Sequence, residues 1–298
     1  MKWLPTTIDR RVRVFAWLSF ALNVLIIATG GTVRLTSSGL GCTDWPVCTP
    51  GSLVPTPEMG IHGVIEFANR TISGPLLLVA LIVVIFSFRL RRQRRDLFVI
   101  SLVVIALVIL QALVGAFVVW EELAAALVGF HYTVSVIIVA ITAVYLARMV
   151  EFSGPRERVV PRGFAVLTHL ATVAMAVTIL FGVITTASGP HSGDDDVVRN
   201  GFDATLMSHI HAWPGYTLAA LLVTLAIWST VKKLPPFRWA LALVAITGIQ
   251  ILVGIYQARN GLPPVAVGIH MVLAALNAAT MTVFVLRLKQ SVAQAPVA

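Results

Sequence analysis

Charge is scarce in this sequence. Lys, Arg, Asp and Glu make up 12% of the 298 residues, about half the share found in soluble globular domains. That deficit excludes a water-soluble fold for a chain whose residues are 58% hydrophobic. Cysteine is nearly absent, with only Cys42 and Cys48, both in a stretch between apolar runs. A zinc centre wants three or four protein ligands, so this count argues against one among the buried histidines. The first apolar run lacks a small-residue cleavage site and is followed by further runs, so it is expected to be a retained helix rather than a removable signal. Positive charge is also missing from one side of the chain. With the N-terminus placed inside, Lys2 and the run Arg89, Arg91, Arg92, Arg94 and Arg95 fall on the inner side with most other basic residues. The outer side keeps only Arg34, Arg70, Arg199 and Arg259 of the 22. This asymmetry is the positive-inside pattern and places both termini in the cytoplasm. It reads the net charge of +9 as a topology signal in contact with anionic lipid, not as a nucleic-acid surface.

What the sequence has in abundance is apolar runs of bilayer length, about 20 residues each. Eight qualify, at roughly 13–35, 62–88, 97–120, 124–147, 163–187, 205–231, 236–257 and 264–286. The expected fold is an all-α, polytopic membrane protein. The halves of the chain resemble each other. Gln111-Ala-Leu-Val-Gly115 in the third span returns as Gln250-Ile-Leu-Val-Gly254 in the seventh, and Val128-Gly-Phe-His131 returns as Val267-Gly-Ile-His270. The interval from Gln to His is the same in both halves. An even number of spans per half inserts both in one orientation, which predicts two parallel-repeated four-helix bundles, residues 1–150 and 151–298. The two glutamines are expected to hydrogen-bond between helices.

Five of the seven histidines, His62, His131, His209, His211 and His270, fall within about two turns of the outer ends of the even-numbered spans. The others are His169, at the opposite end of the fifth span, and His191, beside Asp194, Asp195 and Asp196 in an outer loop. A single histidine in a span is more often a satisfied packing residue than a ligand. Here His131 and His270 occupy equivalent places, and imidazoles from facing helices suit axial ligation of heme iron. His211 is preferred to His209 as partner of His270, since residues two apart point to nearly opposite sides of a helix. Pro214-Gly215 just beyond could open room for a flat ring. In the second span, register sets Asn69, a poor iron ligand, where the sixth span has its histidines. Glu66 lies close by, either as a structural ion pair with Arg70 at i+4 or as a proton acceptor or charge stabiliser beside a substrate held by His131, with His62 one turn before it as a weak or exchangeable ligand, a proton partner or a helix-mouth residue. Cys42 and Cys48 are expected to form a disulfide, structural or redox-active. A permanent heme in one half and a substrate in the other favours an enzyme. The rival readings are a cytochrome b-like quinol or electron-transfer subunit and a proton-coupled transporter.

The loop Gly39-Leu-Gly-Cys42-Thr-Asp-Trp-Pro-Val-Cys48, the second-span Ile65-Glu66-Phe67-Ala68-Asn69-Arg70, and the set His131, His211 and His270 resemble heme A synthase over almost the whole chain. The resemblance implies conversion of heme O to heme A by oxidation of a ring methyl to a formyl. It implies heme b on His211 and His270, Glu66 as the family's second-span glutamate, and Cys42 and Cys48 as its loop pair. It also implies the plasma membrane of a bacterium, with heme O synthase and a terminal oxidase as partners. Arg34 and Arg70 are candidates for the heme propionates. The sequence departs from many members at Asn69, where they carry a histidine.

Overall fold

The computed structural model describes residues 4–194 and 197–292. Lys2 of the basic set and Asp195 and Asp196 of the acidic loop lie outside the described residues. Eight helices are long and apolar enough to cross a membrane. They are α1 (Arg10–Leu35), α2 (Gly60–Leu90), α3 (Arg95–Trp120), α4 (Ala125–Met149), α5 (Arg162–Ser188), α6 (Ala204–Val231), α7 (Phe237–Arg259) and α8 (Pro264–Leu286). The chain is therefore an all-α, multi-pass membrane protein. Each expected span lies on one of these helices.

Local chemistry sets the helix starts. The Asp9 carboxylate accepts from the backbone N–H groups of Arg11 and Val12, satisfying donors that the first turn of α1 leaves open. The Arg11 side chain holds that carboxyl below the usual carboxylate range. Asp203 caps α6 in the same way, accepting from Leu206 N–H at 2.6 Å. Pro264 begins α8, where its missing N–H costs nothing. Most of the helices are apolar on every side, as a bilayer requires, and large side chains such as Trp17, Phe117 and Leu252 remain exposed on the outside of the bundle.

Two short strands were not expected from the sequence. β1 (Arg156–Arg158) follows α4, and β2 (Lys289–Ser291) follows α8; they pair antiparallel with Arg156 opposite Ser291. Three-residue strands leave no periodic signature, and tertiary contacts hold these two. The Arg156 guanidinium donates to the carbonyls of Leu286 and Lys289. Glu151, nearly fully buried, accepts from Arg148, Arg156 and Arg287 at 2.9–3.3 Å. Asp96 pairs with Arg94 and Arg148. Four of the basic residues counted above as topology signals are thus also internal cross-links at this end of the bundle.

α1 packs on α2, α4 and α8, and α4 packs directly on α8. Their shared core holds Val139, Ala143 and Ala147 of α4 and Ala275, Ala279 and Val283 of α8, each set spaced by four. Small residues at that spacing let helix backbones approach closely without help from water. Tyr132 Oη adds a polar rung, donating to the Met271 carbonyl at 2.9 Å.

Candidate functional site

α4 and α8 carry His131 and His270 one residue before that rung. Each helix is held at its histidine by the preceding helix. Gln111 Nε2 donates to the His131 carbonyl at 2.8 Å and to Ser135 Oγ at 2.5 Å. Gln250 Nε2 donates to the His270 carbonyl at 3.1 Å. The glycine one turn after each glutamine faces the imidazole. A Cβ on Gly115 would lie 3.6 Å from His131 Cε1, and one on Gly254 would lie 3.1 Å from His270 Cε1. The sequence reading gave these glycines no role, although their repeated spacing from Gln111 and Gln250 was the available signal.

His211 projects from α6 and His270 from α8, with ring centres 6.1 Å apart and planes at 75°. His211 Nδ1 lies 2.9 Å from the Thr178 carbonyl of α5. A carbonyl only accepts, so Nδ1 carries the proton and Nε2 is left with its lone pair, the tautomer a metal ligand needs. A Cβ on Gly182 would stand 3.0 Å from His211 Cε1, so only glycine leaves the ring its place.

A cavity of about 710 Å³ lies among the helices and is lined by His131, His211 and His270 together. Two loops roof it. Gly39 N–H of the α1–α2 loop donates to the Gly193 carbonyl of the α5–α6 loop at 2.8 Å, and both residues line the cavity with Trp45 and Pro46. The α1–α2 loop is closed by the Cys42–Cys48 disulfide, whose cysteines are both fully buried.

Glu66 and Arg70 fasten that loop to α2. Glu66 Oε2 accepts from Cys42 N–H at 2.7 Å, and Oε1 accepts from Arg70. Arg70 also donates to the carbonyls of Asp44, Val47 and Cys42. All five of its N–H donors are used. The structural ion pair weighed for Glu66 is therefore formed, and Glu66 lines the cavity as well.

Arg34 is the opposite case. Its Nη2 donates to the Thr186 carbonyl at 2.8 Å, its Nε is buried without a partner, and no carboxylate among the described residues pairs with it. A guanidinium buried in that state calls for an anion.

Asn69 sits against Gly30 of α1, as His211 sits against Gly182 of α5, and its Oδ1 accepts from Thr29 Oγ1 at 2.7 Å. The structure leaves four histidines of the sequence apart from the cavity, His169 being exposed on α5. His62 is exposed with Nδ1 on Ser38 Oγ at 2.9 Å, His209 is exposed on α6, and His191 Nε2 donates to the Leu262 carbonyl.

The donor set fits heme. Two imidazoles binding one metal from opposite sides stand roughly 6 Å apart between ring centres, taking about 2 Å per metal–nitrogen bond, close to the 6.1 Å seen for His211 and His270. Among the described residues no three His, Cys, Asp or Glu side chains gather as a metal site, so a metal held by this imidazole pair would need its remaining ligands from a group such as a porphyrin. His131 keeps a buried Nδ1 without a hydrogen-bond partner, and a proton there would leave the Nε2 lone pair free for iron.

Residues 13–190 match the family described as cytochrome oxidase assembly protein. A heme A synthase of Halalkalibacterium halodurans is 26% identical over 286 residues, covering 92% of this chain and 93% of the relative. One of Lysinibacillus sphaericus is 27% identical over 291 residues, covering 89% and 92%. A third, of an Exiguobacterium species, is 31% identical over 136 residues, covering 45% and 44%.

Proposed function

The chain belongs to the cytochrome oxidase assembly protein family, and from that membership we propose that it is an enzyme of heme A biosynthesis, converting heme O to heme A by oxidising a ring methyl to a formyl. One observation carries this reading. A single cavity is lined by an imidazole pair, His211 and His270, and by a further imidazole, His131, together with the Asn69 amide. An electron carrier keeps its hemes, whereas a reaction on heme needs a site that releases its occupant.

His211 and His270 would hold heme b, which supplies reversible one-electron storage next to the reaction. Thr178 fixes the His211 tautomer, and Gly182 and Gly254 leave the rings their space. His131 would bind the iron of heme O as substrate. Asn69, tied to Thr29, makes a weak iron ligand and leaves the second face open. His62, bonded to Ser38 outside the cavity, is given no ligand role here, so His62→Ala is expected to leave heme O binding and turnover unchanged.

Oxidation of a methyl to a formyl adds one oxygen atom and passes four electrons to an oxidant from outside the chain; with water as the oxygen source it also releases four protons (CH3 + H2O → CHO + 4 H+ + 4 e−). Glu66 is the only carboxylate in the described lining of the cavity, and we assign it their acceptance at Oε1 or Oε2. Cys42 N–H and Arg70 keep that carboxylate fixed. Arg34 would receive a propionate through its unpartnered Nε. The charge asymmetry supports an outward-facing site with cytoplasmic termini. A heme O synthase would supply the substrate and a terminal oxidase would take the product.

The test is mass spectrometry of hemes extracted from membranes that co-express this chain with a heme O synthase, beside Glu66→Gln. Heme A in the wild type and its loss in the variant is the expected result. Heme A in both removes Glu66 from the chemistry. Heme O and heme B alone, from folded and heme-loaded protein, would overturn the enzyme reading in favour of an electron-transfer subunit.

A further inference from the structure

The cavity does not meet the outside evenly. Seven of its lining residues are exposed: Pro46 and Val198 in the roof loops, Gly74 and Leu77 on α2, and Ile109, Ala112 and Leu113 on α3. No exposed lining residue comes from α6, α7 or α8. Among the helices only α2 and α3 thus give the cavity an exposed edge, an apolar gap beside the buried cluster of Leu76, Val104 and Val108. Leu77, Ile109 and Leu113 at its mouth are 41%, 48% and 50% exposed, and none of the five mouth residues is charged.

The sequence of α2 makes this gap. Ser73-Gly74-Pro75 places small side chains one turn past Asn69 and Arg70, just before Leu76, Leu77 and Leu78. A Cβ on Gly74 would meet no atom within 4 Å. Pro75 has no N–H for the Thr71 carbonyl, which loosens the helix at the same point. Leu77 lies eight residues beyond Asn69, about 12 Å further along the helix axis. Arg34, Glu66 and Arg70 are therefore toward one end of the space, and the apolar side opening lies further along α2.

We infer that the gap between α2 and α3 is the subsite for the long isoprenoid tail of the substrate, with Gly74 as its specificity-determining residue. The inference rests on the reading of His131 as the substrate heme site. A flat, anionic macrocycle carrying one long hydrocarbon branch matches a space with a cationic end, an imidazole and an apolar side exit. The tail leaves through the gap and shares the hydrocarbon phase with lipid, so the ring enters and departs sideways without opening the roof. A tailless heme makes the same ring contacts and gains nothing from the gap.

The test uses full-length protein in nanodiscs with heme b already in the His211–His270 site. Heme O and tailless heme B are titrated in turn and followed by difference absorbance. Gly74→Trp adds bulk where a Cβ would meet no atom within 4 Å, Ile109→Trp adds bulk on the other wall, and Leu78→Trp makes a change of the same size as Ile109→Trp at an exposed α2 position that does not line the cavity. Wild-type protein is expected to bind heme O at least tenfold tighter than heme B. Gly74→Trp and Ile109→Trp should weaken heme O at least tenfold while changing heme B less than twofold, and Leu78→Trp should change neither. Equal losses for both hemes, or heme O binding untouched by both gap variants, would overturn the assignment and leave the gap to bilayer lipid. Wild-type protein that binds neither heme at His131 would instead overturn the substrate-site reading itself.

Discussion

Three glycines face three imidazoles, and the clearances separate them. A methyl at Gly182 or Gly254 would stand 3.0 or 3.1 Å from a ring carbon, whereas one at Gly115 would sit at an ordinary 3.6 Å. Gly182→Ala and Gly254→Ala should each displace a ligand ring at a cost of about 1–3 kcal/mol. The expected result is loss of at least half the heme b, read as hemochrome per protein, with Gly115→Ala close to wild type. Arg34→Met removes a buried charge that no carboxylate balances, so it should leave the apoprotein no less stable. It should weaken heme O binding roughly tenfold or more, since a charge-assisted hydrogen bond contributes about 1.5–3 kcal/mol; titration of the variant checks this. The histidines were legible in the sequence because ionisable groups inside spans are rare, and helical projection separated His211 from His209. The difference between Arg34 and Arg70 was not legible. Both are outer arginines in the sequence, and only the folded loop shows that Arg70 has spent every donor.

The α1–α2 loop is the element with the most ties, held by the Cys42–Cys48 disulfide and independently by Arg70 on three of its carbonyls. A disulfide closing so short a loop contributes about 2 kcal/mol, and breaking a buried ion pair costs about 3–5 kcal/mol. Cys42→Ser with Cys48→Ser should therefore leave the loop resistant to limited proteolysis, Arg70→Met should raise cleavage, and the triple variant should be cut fastest. Resistance lost on removing the cysteines alone would reverse that ranking. At this scale the sequence was most informative about the eight helices, since apolar length is written directly in composition. It was silent on β1 and β2, which exist because Arg156 and the charges around Glu151 join two segments far apart in the chain.

Across the whole molecule, α4 and α8 form a seam that also stands beside the cavity. Ala279→Leu adds bulk where both backbones are close, and it should cost about 1–3 kcal/mol. Because His131 and His270 ride on those two helices, heme at both sites should fall together with the melting temperature in detergent; loss at only one site would mean that the seam does not set the cavity. Leu252→Ala, on the exterior of α7, should change neither. The side opening between α2 and α3 has a consequence of another kind. A pocket fed from the hydrocarbon phase responds to the mole fraction of its ligand among lipids, not to its amount per litre of water. At a fixed molar dose of heme O, adding empty micelles or vesicles should slow turnover in proportion to the dilution of the surface. Constants measured for this protein thus belong to a two-dimensional solvent, and they are comparable between preparations only when expressed per lipid.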